Sequence, residues 1–159
     1  MSIIKVINGN GKYYNTDAKE NAINYILKPH KVKHGYIGGV GVSDVCPAES
    51  MQLVSEIYNK TSGVQLRHYV VAFEAVELTN PKTAFEIACR IATYIGKTYQ
   101  IVFAVHEDKD HLHIHFVANT VSYIDGRRYR GTYAEFFEMK NYISKVLKAY
   151  GIKTLMYEN

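Results

Sequence analysis

Apolar and polar positions along the chain change period several times, and each change predicts an element. Residues 3–7 form a short β-rich run, and the cluster Asn8-Gly9-Asn10-Gly11 that follows is a turn signal. Ala22, Ile23, Ile26 and Leu27 recur at helical spacing, with Asn15 or Thr16 as the cap and Pro29 as the stop. A second helix is expected over residues 47–60, with Pro47 in its first turn and Met51, Val54, Ile57 and Tyr58 as its apolar stripe. Residues 66–74 read as a strand, and residues 81–95 as a third helix that ends at Gly96. Two strands then follow, over 99–106 and 111–121, joined through the polar turn Glu107-Asp108-Lys109-Asp110. After a turn at Asp125-Gly126, residues 133–150 form a long amphipathic helix closed by Gly151, and residues 152–157 form a last strand. Helices interspersed with hairpins predict an α+β fold, an antiparallel sheet with helices packed on one or both faces.

Composition narrows the class. At 159 residues, 47% hydrophobic and 21% charged, the chain fits one ordinary domain spanning 1–159, with no repeat or low-complexity linker to divide it. No apolar run approaches the roughly 20 residues that span a bilayer, so no membrane segment is expected. The N-terminus lacks a basic-then-apolar secretory layout, and Cys46 and Cys89 are too few for a disulfide framework. A cytoplasmic protein is the expectation. Nineteen Lys and Arg against 15 Asp and Glu give a net charge of +4, which permits a polyanionic partner without demanding one. Tyrosine is abundant at 14 residues, and no Trp is present.

Chemistry concentrates in one segment, His106-Glu-Asp-Lys-Asp-His111-Leu-His113-Ile-His115-Phe116. Side chains alternate faces along a strand, so Leu112, Ile114, Phe116 and Ala118 point one way and His111, His113, His115 and Val117 the other. On the preceding strand Ile101, Phe103 and Val105 bury, which leaves Val102, Ala104 and His106 on the histidine face. Crowded imidazoles repel when protonated and offer lone pairs when neutral, and a divalent metal uses those lone pairs. If His106 pairs across from His111, the cluster centres on His106, His111 and His113. If it pairs across from His113, then His106, His113 and His115 converge, and the register decides between them. Asp108 and Asp110 can orient an imidazole N–H. A metal held by imidazoles on a sheet face suits Lewis-acid chemistry on a phosphate better than structural stapling. Mn, Mg, Zn, Co and Ni all remain open.

Tyr25 falls on the flank of the first helix's apolar stripe, beside Asn21 and Lys28. From there a phenol can reach over a sheet face, and Lys28 and Lys31 would favour its phenolate. Arg127, Arg128 and Arg130, with Tyr123 and Tyr129 interleaved, are candidates for backbone contact and base stacking on nucleic acid, and Lys31, Lys33 and Arg67 add basic groups.

The run His106-x-Asp108-x-Asp110-His111-x-His113-x-His115-Phe116-x-x-Asn119 resembles the third motif of plasmid and transposon mobilisation relaxases, the HUH nucleases of the VirD2-like and MobA-like branch. AINYILKPHKV resembles that family's first motif, RHYVVAFE stands where its middle strand motif does, and VSYIDGRRYR looks like its continuation. The resemblance implies the HUH-endonuclease version of the α+β fold, with a ferredoxin-like palm. It implies that Tyr25 is the nucleophile, that His106, His113 and His115 hold a divalent ion (Mn or Mg foremost), and that Asp108 orients a ligand or assists deprotonation of the tyrosine. It further implies that His111 and Asp110 stand behind the ligands rather than bind the ion, and that Asn119 makes a phosphate or backbone contact. The activity implied is metal-dependent nicking and strand transfer on single-stranded DNA at a transfer origin, through a 5′-phosphotyrosine, in a bacterial cytoplasm. Accessory relaxosome proteins and a coupling protein are the implied partners. Members of this family usually continue well past the nuclease domain, so a chain ending soon after Gly151 is expected to be an excised domain or a short relative. Two other readings stay in view. One is a rolling-circle initiator or transposase of HUH type, with Tyr133 or Tyr142 as nucleophile. The other is a DNA-binding relative without catalysis.

Overall fold

A single β-sheet organises the computed structural model, which describes residues 2–155. In chain order the elements are β1 (Ser2–Ile7), a 3-10 segment (Gly9–Tyr14), α1 (Ala18–Ile26), β2 (Ile37–Val40), α2 (Pro47–Ile57), β3 (Leu66–Ala72), α3 (Pro81–Ile95), β4 (Ile101–His106), β5 (His113–Asn119), α4 (Tyr133–Ala149) and β6 (Thr154–Leu155). The strands lie in the order β2-β4-β5-β3-β1-β6. Every pairing is antiparallel except that of β6 with β1. The α+β class is therefore as expected, with helices on both faces of the sheet.

Alternation along β4 and β5 separates two apolar layers. Ile101, Phe103, Val105, Ile114, Phe116 and Ala118 pack under α3 and α4. Val102, Ala104 and Val117 pack under α1 and α2, against Ile23, Ile26 and Met51. Helix α3 approaches closely because alanines share its buried side with Ile87, Ile91 and Ile95. Pro81 in its first turn and the Asn80 side chain, which accepts from Lys82 N at 3.0 Å, fix where it starts.

Several sequence expectations shift. The turn cluster after β1 winds into the 3-10 segment. Helix α1 begins after Asp17 rather than after Asn15 or Thr16. Strand β2 carries no alternation signal, since Gly38 and Gly39 occupy half of it. Glycine is required at 38 because a Cβ there would stand 2.5 Å from Cζ of Phe103. In α2 the expected stripe is only partly covered: Met51 is buried, Val54 and Tyr58 are half-buried, and Ile57 is 67% exposed. That helix covers only the end of the sheet face, so one narrow line of contact suffices. The last strand is Thr154–Leu155, and positions 156–157 of the expected run lie outside the described residues.

Candidate active site

The apolar layer under α1 and α2 gives way to imidazoles where α1 ends. Along β4 the inward positions run Val102, Ala104, His106, and along β5 they run Val117, His115, His113. The register pairs His106 with His113 and Ala104 with His115, the longer-turn alternative. His111 lies in the turn, exposed, and is not part of the strand. Asp110 is exposed in the same turn.

His106 is buried, and its ring stacks on that of His115 with centroids 4.0 Å apart. Its Nε2 lies 2.8 Å from the carbonyl oxygen of Ile26, one of the carbonyls left unpaired at the C-terminus of α1. A carbonyl only accepts, so Nε2 carries the proton and, in the neutral ring, Nδ1 carries the lone pair. The rings of His113 and His115 are 6.5 Å apart. His115 meets His68 of β3, Nδ1 to Nε2 at 2.8 Å, and the other nitrogen of His68 meets Tyr13 Oη at 2.8 Å. Burial lowers the pKa of all four imidazoles, and the neighbouring imidazoles add to it. It brings His68 to about 4 and His115 to about 2, so these rings are neutral at pH 7. Among the described residues, no group of three or more His, Cys, Asp or Glu side chains is arranged to hold a metal ion. The site offers instead a donor set: three neutral imidazoles at adjacent register positions.

Tyr25 sits in the last turn of α1, directly over this cluster. Its ring stands edge-on to His106 and His115, with centroids 6.4 and 6.3 Å away, and the residue is 43% exposed. The Nζ atoms of Lys31 and Lys28 lie 5.1 and 5.6 Å from the centre of the ring. Lys31 also bonds Asp108 Oδ2 at 3.0 Å. That bond, outweighing burial, raises the Lys31 pKa and keeps it a cation. Burial pushes the Asp108 carboxyl up, but its hydrogen bond to Lys31 and a backbone N–H outweigh this and leave it below the usual carboxylate range. Next to this pair, Glu107 N donates to Lys31 O at 2.7 Å, and the Glu107 carboxylate meets His34 Nδ1 at 2.6 Å. These contacts clamp the segment after α1 to the β4–β5 turn and so hold Tyr25 over the imidazoles.

Other expected site residues lie elsewhere. Asn119 is 1% exposed, and its amide donates to Met51 O and Gln100 Oε1 while its oxygen accepts from Val121 N. It is a buried structural bracket with no atom left for a phosphate. Arg67 points to the α3 and α4 face, with Cζ 5.0 Å over the Tyr129 ring, and lines a cavity of about 790 Å³ beside β1 and α4. Arg127, Arg128 and Arg130 follow β5, at the end away from His113, about 20 Å along the strand. Arg128 bonds Ser62 O at 2.5 Å, and exposed Arg127 faces Asp125 at 3.7 Å. Tyr123 Oη bonds Gly96 O, so that ring is packed rather than presented for stacking. Tyr142 stacks on Tyr94 at 4.0 Å against α3, and Tyr133 opens α4, so neither alternative nucleophile adjoins the imidazoles. His68 and Tyr13 escaped the sequence reading. The signal available was a histidine inside an apolar strand, RHYVVAFE, with the parity of a buried position.

Comparison with known proteins adds the family. A model of the relaxase family, described as MobA/VirD2-like, nuclease domain, matches residues 14–152. Two relatives from Staphylococcus aureus, each named Protein rlx, are 31% identical over 84% of this chain and 28% identical over 89%. The chain spans only 39% and 43% of their lengths. A solved structure described as "Molecular Basis of Vancomycin Resistance Transfer in Staphylococcus aureus" superposes with a TM-score of 0.53 at 16% identity, covering 78% of this chain and 76% of that one, which is a likeness of fold. With the histidine hairpin, the tyrosine above it and a family match over most of its length, the chain belongs to the MobA/VirD2-like relaxases, as a nuclease domain of that family.

Proposed function

We propose that residues 1–159 act as a single relaxase domain that nicks and transfers single-stranded DNA at a transfer origin through a 5′-phosphotyrosine. The observation that carries this reading is Tyr25 poised edge-on over His106 and His115, half-exposed and beside two lysines. In the reaction the Tyr25 oxygen attacks phosphorus and forms the phosphotyrosine ester, while the bond from phosphorus to the sugar 3′ oxygen breaks. The phenol proton leaves to solvent, and the departing 3′ oxygen takes one up. Lys31, kept charged by Asp108, stands where it draws the anionic backbone toward Tyr25. Lys28 adds to the same field. The reverse attack by a 3′ hydroxyl rejoins the strand without an outside energy source, because the ester conserves the broken linkage.

His106, His113 and His115 would hold a divalent ion, Mn or Mg foremost. The chemistry of the donors suits such an ion, since burial keeps these imidazoles neutral and a neutral imidazole is what a divalent ion takes as ligand. Once bound, such an ion supplies Lewis-acid polarisation of the scissile phosphate. Accessory proteins at the transfer origin and a coupling protein belong to the same reading.

The deciding experiment offers a single-stranded oligonucleotide that traps the covalent product, with Mn or Mg, and maps the modified peptide. An adduct on Tyr25 supports the proposal. An adduct within residues 133–150 supports a rolling-circle or transposase mechanism, and no adduct at all supports a DNA-binding relative without catalysis.

A further inference from the structure

Two groups behind the imidazole cluster take no part in the attack described above. His68 is 4% exposed and faces Val117 on β5, while His115 pairs with the next inward residue of β3, Val70. The strand repeat therefore sets both rings on one face, and Nε2 of His68 comes to 2.8 Å from Nδ1 of His115. Tyr13 reaches the other nitrogen of His68 at 2.8 Å. Its backbone is fixed in turn, because Tyr13 O accepts from Gln65 N at 2.8 Å, just before β3 begins. The result is a continuous chain from Tyr13 through His68 to His115.

A bond between two neutral imidazoles needs one N–H and one lone pair, so this chain has two polarities. In one, Tyr13 donates to His68 Nδ1, His68 Nε2–H donates to His115 Nδ1, and His115 is left with its proton on Nε2. In the other, His115 Nδ1–H donates to His68 Nε2, His68 Nδ1–H donates to Tyr13 Oη, and His115 Nε2 carries a free lone pair. Only the second polarity makes His115 a ligand through Nε2.

We propose that His68, backed by Tyr13, is a positioning residue that accepts the Nδ1–H of His115 and holds it in the tautomer whose Nε2 is free for a divalent cation. This rests on the metal-dependent reading above. Metal-bound histidines commonly lean on a carboxylate or a carbonyl in this way. A carboxylate at position 68 would place a second formal charge in a buried layer, whereas a neutral imidazole passing its proton toward a phenol supplies the acceptor without one.

The test titrates Mn into wild type, His68→Phe, His68→Gln and Tyr13→Phe by calorimetry, and reads imidazole tautomers by ¹⁵N NMR with Zn as the diamagnetic probe. His68→Phe should weaken Mn binding about 10–100-fold, while His68→Gln, whose amide oxygen replaces the acceptor, should stay within about threefold of wild type. In Zn-loaded wild type the His68 proton should reside on Nδ1, and Tyr13→Phe should erode that preference. Near-UV circular dichroism checks that each variant is folded; if the Phe variant is not, the Gln variant and the His68 tautomer still decide. A His68→Phe protein that binds like wild type, or a His68 proton found on Nε2 in the loaded protein, overturns the assignment. Wild type that takes up neither ion overturns the metal-dependent reading and this assignment with it, a result the other two outcomes do not produce.

Discussion

Lys31 Nζ lies 3.0 Å from Oδ2 of Asp108, and this ion pair joins the segment after α1 to the turn between β4 and β5. Both side chains are mostly enclosed, so the pair is less screened than a surface ion pair. It fixes a cation beside Tyr25. Lys31→Met should therefore slow adduct formation about tenfold, a barrier change near ~1.4 kcal/mol, with little loss of fold. Single-turnover cleavage by the variant at wild-type speed would remove Lys31 from the chemistry.

Tyr25→Phe should abolish the covalent adduct and leave single-strand binding within about twofold, because the ring stays half-exposed and only the attacking oxygen is gone. Gel mobility with labelled oligonucleotides, with and without denaturation, separates the two properties.

His113 and His111 should differ sharply. His113 pairs with His106 in the sheet, whereas His111 is exposed in the turn. His113→Ala is expected to weaken Mn binding by more than about 100-fold. His111→Ala should change it by no more than about threefold. Calorimetry giving the reverse order would favour a ligand set that includes His111.

Asn119→Ala should destabilise the fold by about 2 kcal/mol and leave DNA affinity unchanged, since it strands the buried partners Gln100 Oε1 and Val121 N. Thermal melting read together with oligonucleotide binding checks this. A loss of affinity at unchanged stability would return Asn119 to the binding surface.

Lys19 sets a pH signature. It is buried against Ser55 Oγ and Gln65 Oε1, and burial above all, with Arg128 nearby, lowers its pKa from 10.5 to about 8. The unfolded chain therefore holds more protons than the folded one between these two values, so stability rises as pH increases from 8 toward 10.5. Denaturant melts across that window should show the rise in wild type and a smaller one in Lys19→Met. Parallel curves would mean that Lys19 is charged in the fold.

How far the fold was legible follows from where each signal resides. Helix α3 matched its expected bounds because its start and stop are local: Pro81 and Asn80 at one end, Gly96 at the other. Strand β2 was not legible, because Gly38 packs against Phe103, which lies far along the chain. The exposed Ile57 misled for the same reason, since periodicity names an apolar face but not whether anything covers it. Tyr25 and the histidines were legible as residues. The basic groups were not legible as a surface, for Arg67 and the arginines after β5 share a composition with Lys28 and Lys31 but not a place.

The sequence by itself determined the alternation that sends His106, His113 and His115 to one face, because a strand's side-chain repeat is a property of the backbone. It also carried the likeness to the relaxases. Only the tertiary structure decided which histidines stand opposite one another, that the end of α1 caps His106 and carries Tyr25 over the cluster, and that His68 and Tyr13 lie behind it. Those outcomes depend on register and on helix docking, which come from burying two apolar layers at once and are written in no single stretch of chain.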